Sequence, residues 1–453
     1  MGRNGILTAG FLVCLSLLAT SVVSADEPIT NETLLKEIKA LKETVNRQAQ
    51  KIEDLEQRVK QQEMHSPAPG VPAVTADIDK KIDERLEKRI PGYRILDGLS
   101  MWIGATTVLQ SAHNANGDSQ LSKKEDVTDA SYAADITFEK KFEDYGEAYV
   151  YLSAGQGSGV DNRLALYQGV NYAAADDVNV TVAEAWYEQY FPAISGALAF
   201  GKLDAASYID TNEYANDSDI QFLGLIFNNS PVVEFPSNGA AVHFGASPLE
   251  WLSVNLIAQD GNADWADVFD GTFLAGQLNF KPKFFGKDGN YRLLAWNNGT
   301  NHTKWTDTEK DKESGYGYGL SFDQELTKSI GVFARYGWQD PKVYVVDTDD
   351  PGSEFSLEQS WSLGPQFKGT LWGRPEDIAG IGFGQIIPSN KYKTFNDFQA
   401  KTESHLECYY NFKVNDHLNL SPDLQVIWQP YGKDATKGDG TIVVGGLRGR
   451  MDF

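Results

Sequence analysis

The sequence predicts an all-β fold: a transmembrane antiparallel β-barrel of about 16 strands, preceded by an N-terminal α-helical coiled coil. Three observations point there. Downstream of Ala25 there is no apolar run of about 18 residues, so strands rather than helices must carry the chain through any bilayer it crosses. From about Asp97 onward, apolar residues recur at every second position in segment after segment. Aromatic residues make up 12% of the chain and glycine occupies 42 positions, so rings and turns are abundant in a chain that is not hydrophobic on average.

Residues 1–25 read as an export signal. Arg3 supplies the positive start, Ile6 to Leu18 the short apolar core, and Val23-Ser24-Ala25 a small-residue cleavage site before Asp26. Cys14 lies inside that core behind the bulky Val13, which argues against a lipid-attachment site and for its removal with the signal. Cys408 is then the single remaining thiol, so an exported chain has no intrachain disulfide to rely on. A closed, hydrogen-bonded barrel meets that need.

Residues 31–63 change period. Leu34, Ile38, Leu41, Val45, Gln48, Ile52, Leu55, Val59 and Gln62 alternate steps of four and three, placing Ile38, Val45, Ile52 and Val59 at a and Leu34, Leu41 and Leu55 at d. Charged residues such as Lys36, Glu43, Arg47, Glu53 and Arg58 fill the other faces. This four-heptad pattern predicts a homo-oligomer joined through Ile38, Leu41, Val45, Ile52, Leu55 and Val59. Dimer and trimer stay open, because Gln48 and Gln62 weaken the d seam, and a lone helix is the alternative. Residues 64–96 follow as a linker with Pro67, Pro69 and Pro72, then a short helix over residues 77–90 stopped by Pro91-Gly92.

Residues 97–453 form the barrel domain. Leu406, Cys408, Tyr410, Phe412 and Val414 make one face and Glu407, Tyr409, Asn411 and Lys413 the other. Leu418, Leu420, Leu424, Val426 and Trp428 oppose Asn419, Ser421, Asp423, Gln425 and Gln429, with Pro422 expected to mark a bend or bulge. Ile330, Val332, Ala334, Tyr336 and Trp338 oppose Gly331, Arg335 and Gln339. Leu252, Val254, Leu256 and Ala258 oppose Ser253, Asn255 and Gln259.

A soluble sandwich also alternates; aromatic strand ends, tight turns such as Val414 to His417 set against long polar insertions such as Asn301 to Gly315, and a last strand ending on Phe453 favour the membrane barrel. That last strand resembles the assembly signal of bacterial outer-membrane proteins. At roughly 20 to 24 residues per strand with its connection, the length allows about 14 to 18 strands, and the even-number rule leads to 16.

The net charge of −23 excludes nucleic acid as a partner, since phosphate binding needs a basic face. The six histidines, His65, His113, His243, His302, His405 and His417, lack close metal spacing, and no nucleophile elbow or phosphate-binding loop appears. No enzyme activity and no cofactor are expected.

Four segments carry a further signal: Trp186 to Phe191 leading into Phe200-Gly201-Lys202-Leu203-Asp204; Tyr214-Ala215-Asn216-Asp217; Gln221-Phe222-Leu223; and the stretch from Glu407 to Phe453 with Pro422-Asp423-Leu424-Gln425 and Gly445-Gly446-Leu447-Arg448. In order and spacing over about 270 residues these resemble the OprB-type carbohydrate-selective porins. The heptad region departs from the simplest members and points to an envelope-spanning variant. The resemblance implies passive diffusion of small-molecule sugars through a barrel embedded in outer-membrane lipid.

Parity places Glu184, Glu188, Arg292, Arg335, Asn411, Gln425, Arg448 and Arg450 on the inner wall, where they serve the cargo or form a stiffening salt-bridge lattice. The segment Asp204 to Gln221 is long and rich in Tyr, Asn and Asp. It either folds inward, making Tyr208, Asn212, Glu213, Tyr214, Asn216 and Asp217 part of an eyelet, or stays a surface loop; a regular calcium-ligand order is absent. The rival readings are a general or anion-selective porin, an outer-membrane enzyme, and a tether whose periplasmic coil contacts peptidoglycan.

Overall fold

A computed structural model describes residues 98–117, 125–175, 177–346 and 354–453. The expected signal peptide, coiled coil and linker lie outside the described residues. Eighteen strands form one sheet, of which β9 (Lys283–Phe284) and β13 (Val343–Val345) are short pieces and the other sixteen are the staves of a barrel. These are β1 (Leu99–Ala115), β2 (Glu125–Phe142), β3 (Gly146–Gln156), β4 (Thr181–Phe191), β5 (Gly196–Leu203), β6 (Gly239–Leu249), β7 (Leu252–Asp260) and β8 (Thr272–Phe280). They continue as β10 (Lys287–Lys304), β11 (Glu313–Thr327), β12 (Ile330–Gln339), β14 (Leu357–Lys368), β15 (Ile378–Pro388), β16 (Glu403–Asn415), β17 (Leu418–Trp428) and β18 (Ile442–Asp452).

Each stave pairs antiparallel with the next, and β18 returns to β1 over Gly104↔Asp452 to His113↔Val443, so the sheet has no free edge. Closure lets the staves satisfy their ladders from within the sheet, prolines such as Pro422 apart, which is the condition for β-structure in hydrocarbon.

Connections alternate in length. One end has tight turns, as at Asp416-His417 between β16 and β17, and the chain's last strand finishes there; the other end carries the long loops. Asn301 to Gly315 differs from expectation: β10 runs on to Lys304 and β11 begins at Glu313, because the strands project past their neighbours and β10 pairs with β13 over His302↔Val345. Pro422 also differs. Register is the same on both sides of it, Tyr409↔Asp423 and Phe412↔Leu420, so the proline skips ladder bonds without a bulge.

The outer face is apolar. Phe200, Leu256, Leu274, Leu363, Leu424 and Leu447 are exposed in the middle of their strands, while Trp102, Phe142, Trp251 and Phe284 ring the turn end as an aromatic belt. Replacing Leu424 by Arg is expected to cost about 2 to 4 kcal/mol, the penalty for a cation at mid-bilayer depth. Urea titration of folding into lipid vesicles measures it; a difference within error places this face away from lipid.

The largest apolar cluster lies inside the barrel. Phe222, Ile226, Phe227 and Val232, from the β5–β6 loop, pack with Phe333 of β12, Ile386 of β15 and Tyr409 of β16. The wall is flattened to receive them. In β15 the inward positions are Gly380, Gly382 and Gly384, and a Cβ on Gly382 would sit 2.7 Å from the Phe227 ring and 2.9 Å from that of Phe222.

Candidate functional site

The β5–β6 connection, residues 204–238, turns into the barrel. Asp204 accepts from the Ala206 amide and starts a helical turn over Ala205–Ser207, which sends the chain inward at the strand end. Asp210 takes left-handed φ of 59°. From there the loop meets the wall of β10 to β12. Asn212 donates to Ser321 Oγ at 3.2 Å and to the Phe322 carbonyl at 3.1 Å, and the Glu213 amide donates to Asp323 Oδ2 at 3.2 Å.

Arg335 is the main anchor. It donates to the carbonyls of Phe227 at 2.7 Å and Asp210 at 3.0 Å and to Asn216 Oδ1 at 2.9 Å, with the Asp210 carboxylate 3.5 Å from Nε. Arg292 pairs with Asp323 at 2.5 Å. Across the lumen Glu407 accepts from the Leu223 and Gly224 amides at 2.6 and 2.8 Å, and Arg448 donates to the Ser218 carbonyl at 2.5 Å. Arg450 holds Asp219 of the loop at 2.8 Å together with Asp135 and Asp452.

A second infolded loop, residues 157–180, completes the constriction. Gln110 and Gln425 both donate to the Val170 carbonyl, at 3.0 and 2.9 Å, and Glu403 accepts from the Tyr167 amide at 3.1 Å. The two loops are joined by Tyr172 N–H to Leu223 O at 2.8 Å and Leu225 N–H to Gly169 O at 3.1 Å.

The sequence-derived candidates therefore divide. Arg292, Arg335, Asn411, Gln425 and Arg448 lie on the inner wall but are buried under the loops, Arg335 to 3% exposure and Arg448 to 1%. Asn411 donates to Ser421 within the wall. Asn212 is buried and Asn216 half-buried as loop anchors, and Tyr214 is buried against Gly331.

Glu184, Glu188 and Tyr208 are only half-buried, and Glu213 and Asp217 are exposed. Glu184 accepts from Trp186 Nε1 at 3.1 Å, and Trp186 stacks on Tyr149 with centroids 4.8 Å apart. Glu184 is in unbroken register with Glu188 on the inner side, and the bulge at Ala183, between Tyr151↔Glu184 and Leu152↔Val182, changes the phase only of the residues before it. Burial raises the Asp204 carboxyl above the usual range against the opposing pull of the Ala206 amide and Ser207 hydroxyl. It also raises the Tyr208 phenol, with the charges of Glu184 and Glu188 pushing the same way.

Sequence reasoning missed the loop 157–180 and the carboxylates Asp210, Asp323 and Glu407. The signal it had was the glycine run facing inward in β15, which marks a wall that something else must cover.

A barrel of sixteen staves with polar inner wall and two loops folded into the lumen is a channel architecture, and comparison with known proteins names the kind. The model of the carbohydrate-selective porin, OprB family, matches residues 128–453. The chain belongs to that family. Porin AaxA of Chlamydia abortus is 21% identical over 63% of this chain and 61% of the relative. Porin B of Pseudomonas aeruginosa is 27% identical over 30% of this chain and 32% of the relative. The chain thus spans less than two thirds of the length of these relatives. The high-pH structure of Pseudomonas putida OprB covers 81% of this chain and 97% of its own, at 17% identity with a TM-score of 0.63, which establishes the shared porin fold. Family and barrel place the protein in the outer membrane, and both are those of a channel.

Proposed function

We propose that this porin allows passive, energy-independent diffusion of sugars across the outer membrane, through the part of the lumen that the two infolded loops leave open. The observation that carries the reading is the make-up of the wall beside the loops: within the family fold, the carboxylates of Asp135, Glu184 and Glu188, the rings of Tyr149 and Trp186 and the amide of Asn255 lie on the inner side of β2, β3, β4 and β7. Such a wall exchanges hydrogen bonds with a polyol at about 0.5 to 1.5 kcal/mol each, so cargo binds and leaves. Glu184, Glu188, Tyr208, Glu213 and Asp217 form the accessible edge of the path. Arg292, Arg335, Asn411, Gln425 and Arg448 act on it indirectly, by fixing the loops and the wall that bound it.

The long loops face outward and the chain's N-terminal region lies in the periplasm, following the usual barrel topology. There the heptads through Ile38, Leu41, Val45, Ile52, Leu55 and Val59 join copies of the chain and reach toward peptidoglycan.

Liposome swelling tests the transport reading. Vesicles carrying the protein are expected to admit neutral monosaccharides faster than amino acids or phosphate of similar size. Equal rates reduce it to a general porin, and absence of swelling removes the channel function.

A further inference from the structure

The charges of the lumen do not cancel where solute can reach them. Arg292, Arg335 and Arg450 are each paired with carboxylates, and Arg448 is buried on a loop carbonyl. Among the described residues Glu184 and Glu188, on the open side, have no ion pair at all. The cations are spent on holding the loops, and carboxylates are left over.

A second observation comes from the neighbouring wall. Glu188, Ala199 and His243 lie level with one another on adjacent strands, Glu188↔Ala199 and Ala199↔His243, with the small Ala199 between them. The His243 ring stacks on Tyr208, centroids 3.9 Å apart, and its Nε2 lies 3.1 Å from Asn255 Oδ1, an acceptor. In the tautomer that donates Nε2–H to Asn255, Nδ1 is a lone-pair acceptor. His243 is 4% exposed and its Nδ1 has no partner among the described residues. A buried acceptor left open costs free energy unless a donor reaches it.

We propose that this face of the constriction is a subsite for hydroxylated organic cations, amino sugars being the simplest class, and that it makes the pore cation-selective. The inference rests on the sugar-channel reading and narrows its cargo. An ammonium group finds the carboxylates of Glu184 and Glu188 and the ring faces of Tyr208 and Trp186, and a donor on the cargo satisfies His243 Nδ1 when the Tyr208 ring that covers it turns aside. Unpaired carboxylates in a low-dielectric constriction also raise the local concentration of any cation and repel anions.

The test compares protonated glucosamine, glucose and glucuronate in liposome swelling, together with the reversal potential of reconstituted protein in a potassium chloride gradient. Glucosamine is expected to enter several-fold faster than glucuronate, with potassium several-fold more permeant than chloride. In Glu184→Gln/Glu188→Gln, whose side chains keep their shape, both ratios are expected to fall toward one, and gel mobility before and after heating confirms a folded barrel. His243→Phe is a second variant, expected to lower glucosamine entry relative to potassium. If glucose swells the vesicles while glucosamine and glucuronate enter alike and the salt ratio is one or below, the cation subsite is refuted and the sugar channel stands. If no solute enters, both fail.

Discussion

Replacing Arg335 with methionine is expected to free the β5–β6 loop from the wall and raise the single-channel conductance. The guanidinium is nearly inaccessible and serves four loop groups at once: the Asp210 carboxylate, the carbonyls of Asp210 and Phe227, and the Asn216 side chain. Methionine fills much of the space but leaves Asp210 buried without its partner. Breaking a buried pair in this way costs about 3 to 5 kcal/mol, because the remaining charge has lost compensation it cannot regain from water.

The barrel ladder is untouched, so the cost falls on loop docking. Planar-bilayer recording is expected to show larger, noisier currents, and limited proteolysis to cut within residues 204–238. Adding Asp210→Asn removes the stranded charge while keeping a residue that suits the left-handed backbone and a side-chain oxygen for the Ser230 amide, and is expected to restore much of the protection. Unchanged conductance and proteolysis in the single variant would show that Arg335 is not an anchor.

That outcome bears on how much the sequence discloses. The staves were legible because lipid outside and polar groups inside impose period two, and β12, β16, β17 and β18 each show the alternation with one face apolar. The inner-wall position of Arg335 follows from the same parity. Its burial does not, because what covers it is a loop more than 100 residues away in sequence, at Asp210, Asn216 and Phe227. Parity says which way a side chain points and nothing about what meets it there. The infolding of residues 157–180 was hidden for a related reason: its contacts run through backbone groups such as the Val170 carbonyl and the Tyr167 amide, which leave no mark on residue type. Local bulges are equally silent, as at Ala183, where one extra residue turns Val182 to the outer face although its parity matches that of the inward Glu184.

Glycine is the exception, since its presence on the wall is a record of the loop. Gly382→Leu is expected to displace the loop by overpacking, at a cost of about 1 to 3 kcal/mol, because the new side chain enters space that the Phe222 and Phe227 rings occupy. Phe227→Ala is expected to weaken docking by about 3 to 5 kcal/mol through the cavity it leaves among Phe222, Phe333 and Tyr409. The two changes are complementary in volume. Combined, they are expected to cost less than their sum, as residues in direct contact couple where distant ones add.

Conductance and loop proteolysis of the two single variants and the double variant form the cycle that measures this. Strict additivity would mean that leucine at position 382 and phenylalanine at position 227 do not compete for the same space. A positive coupling would show that an aromatic staple in the loop and a glycine groove in β15 set the docked position of the loop, and with it the aperture through which cargo passes.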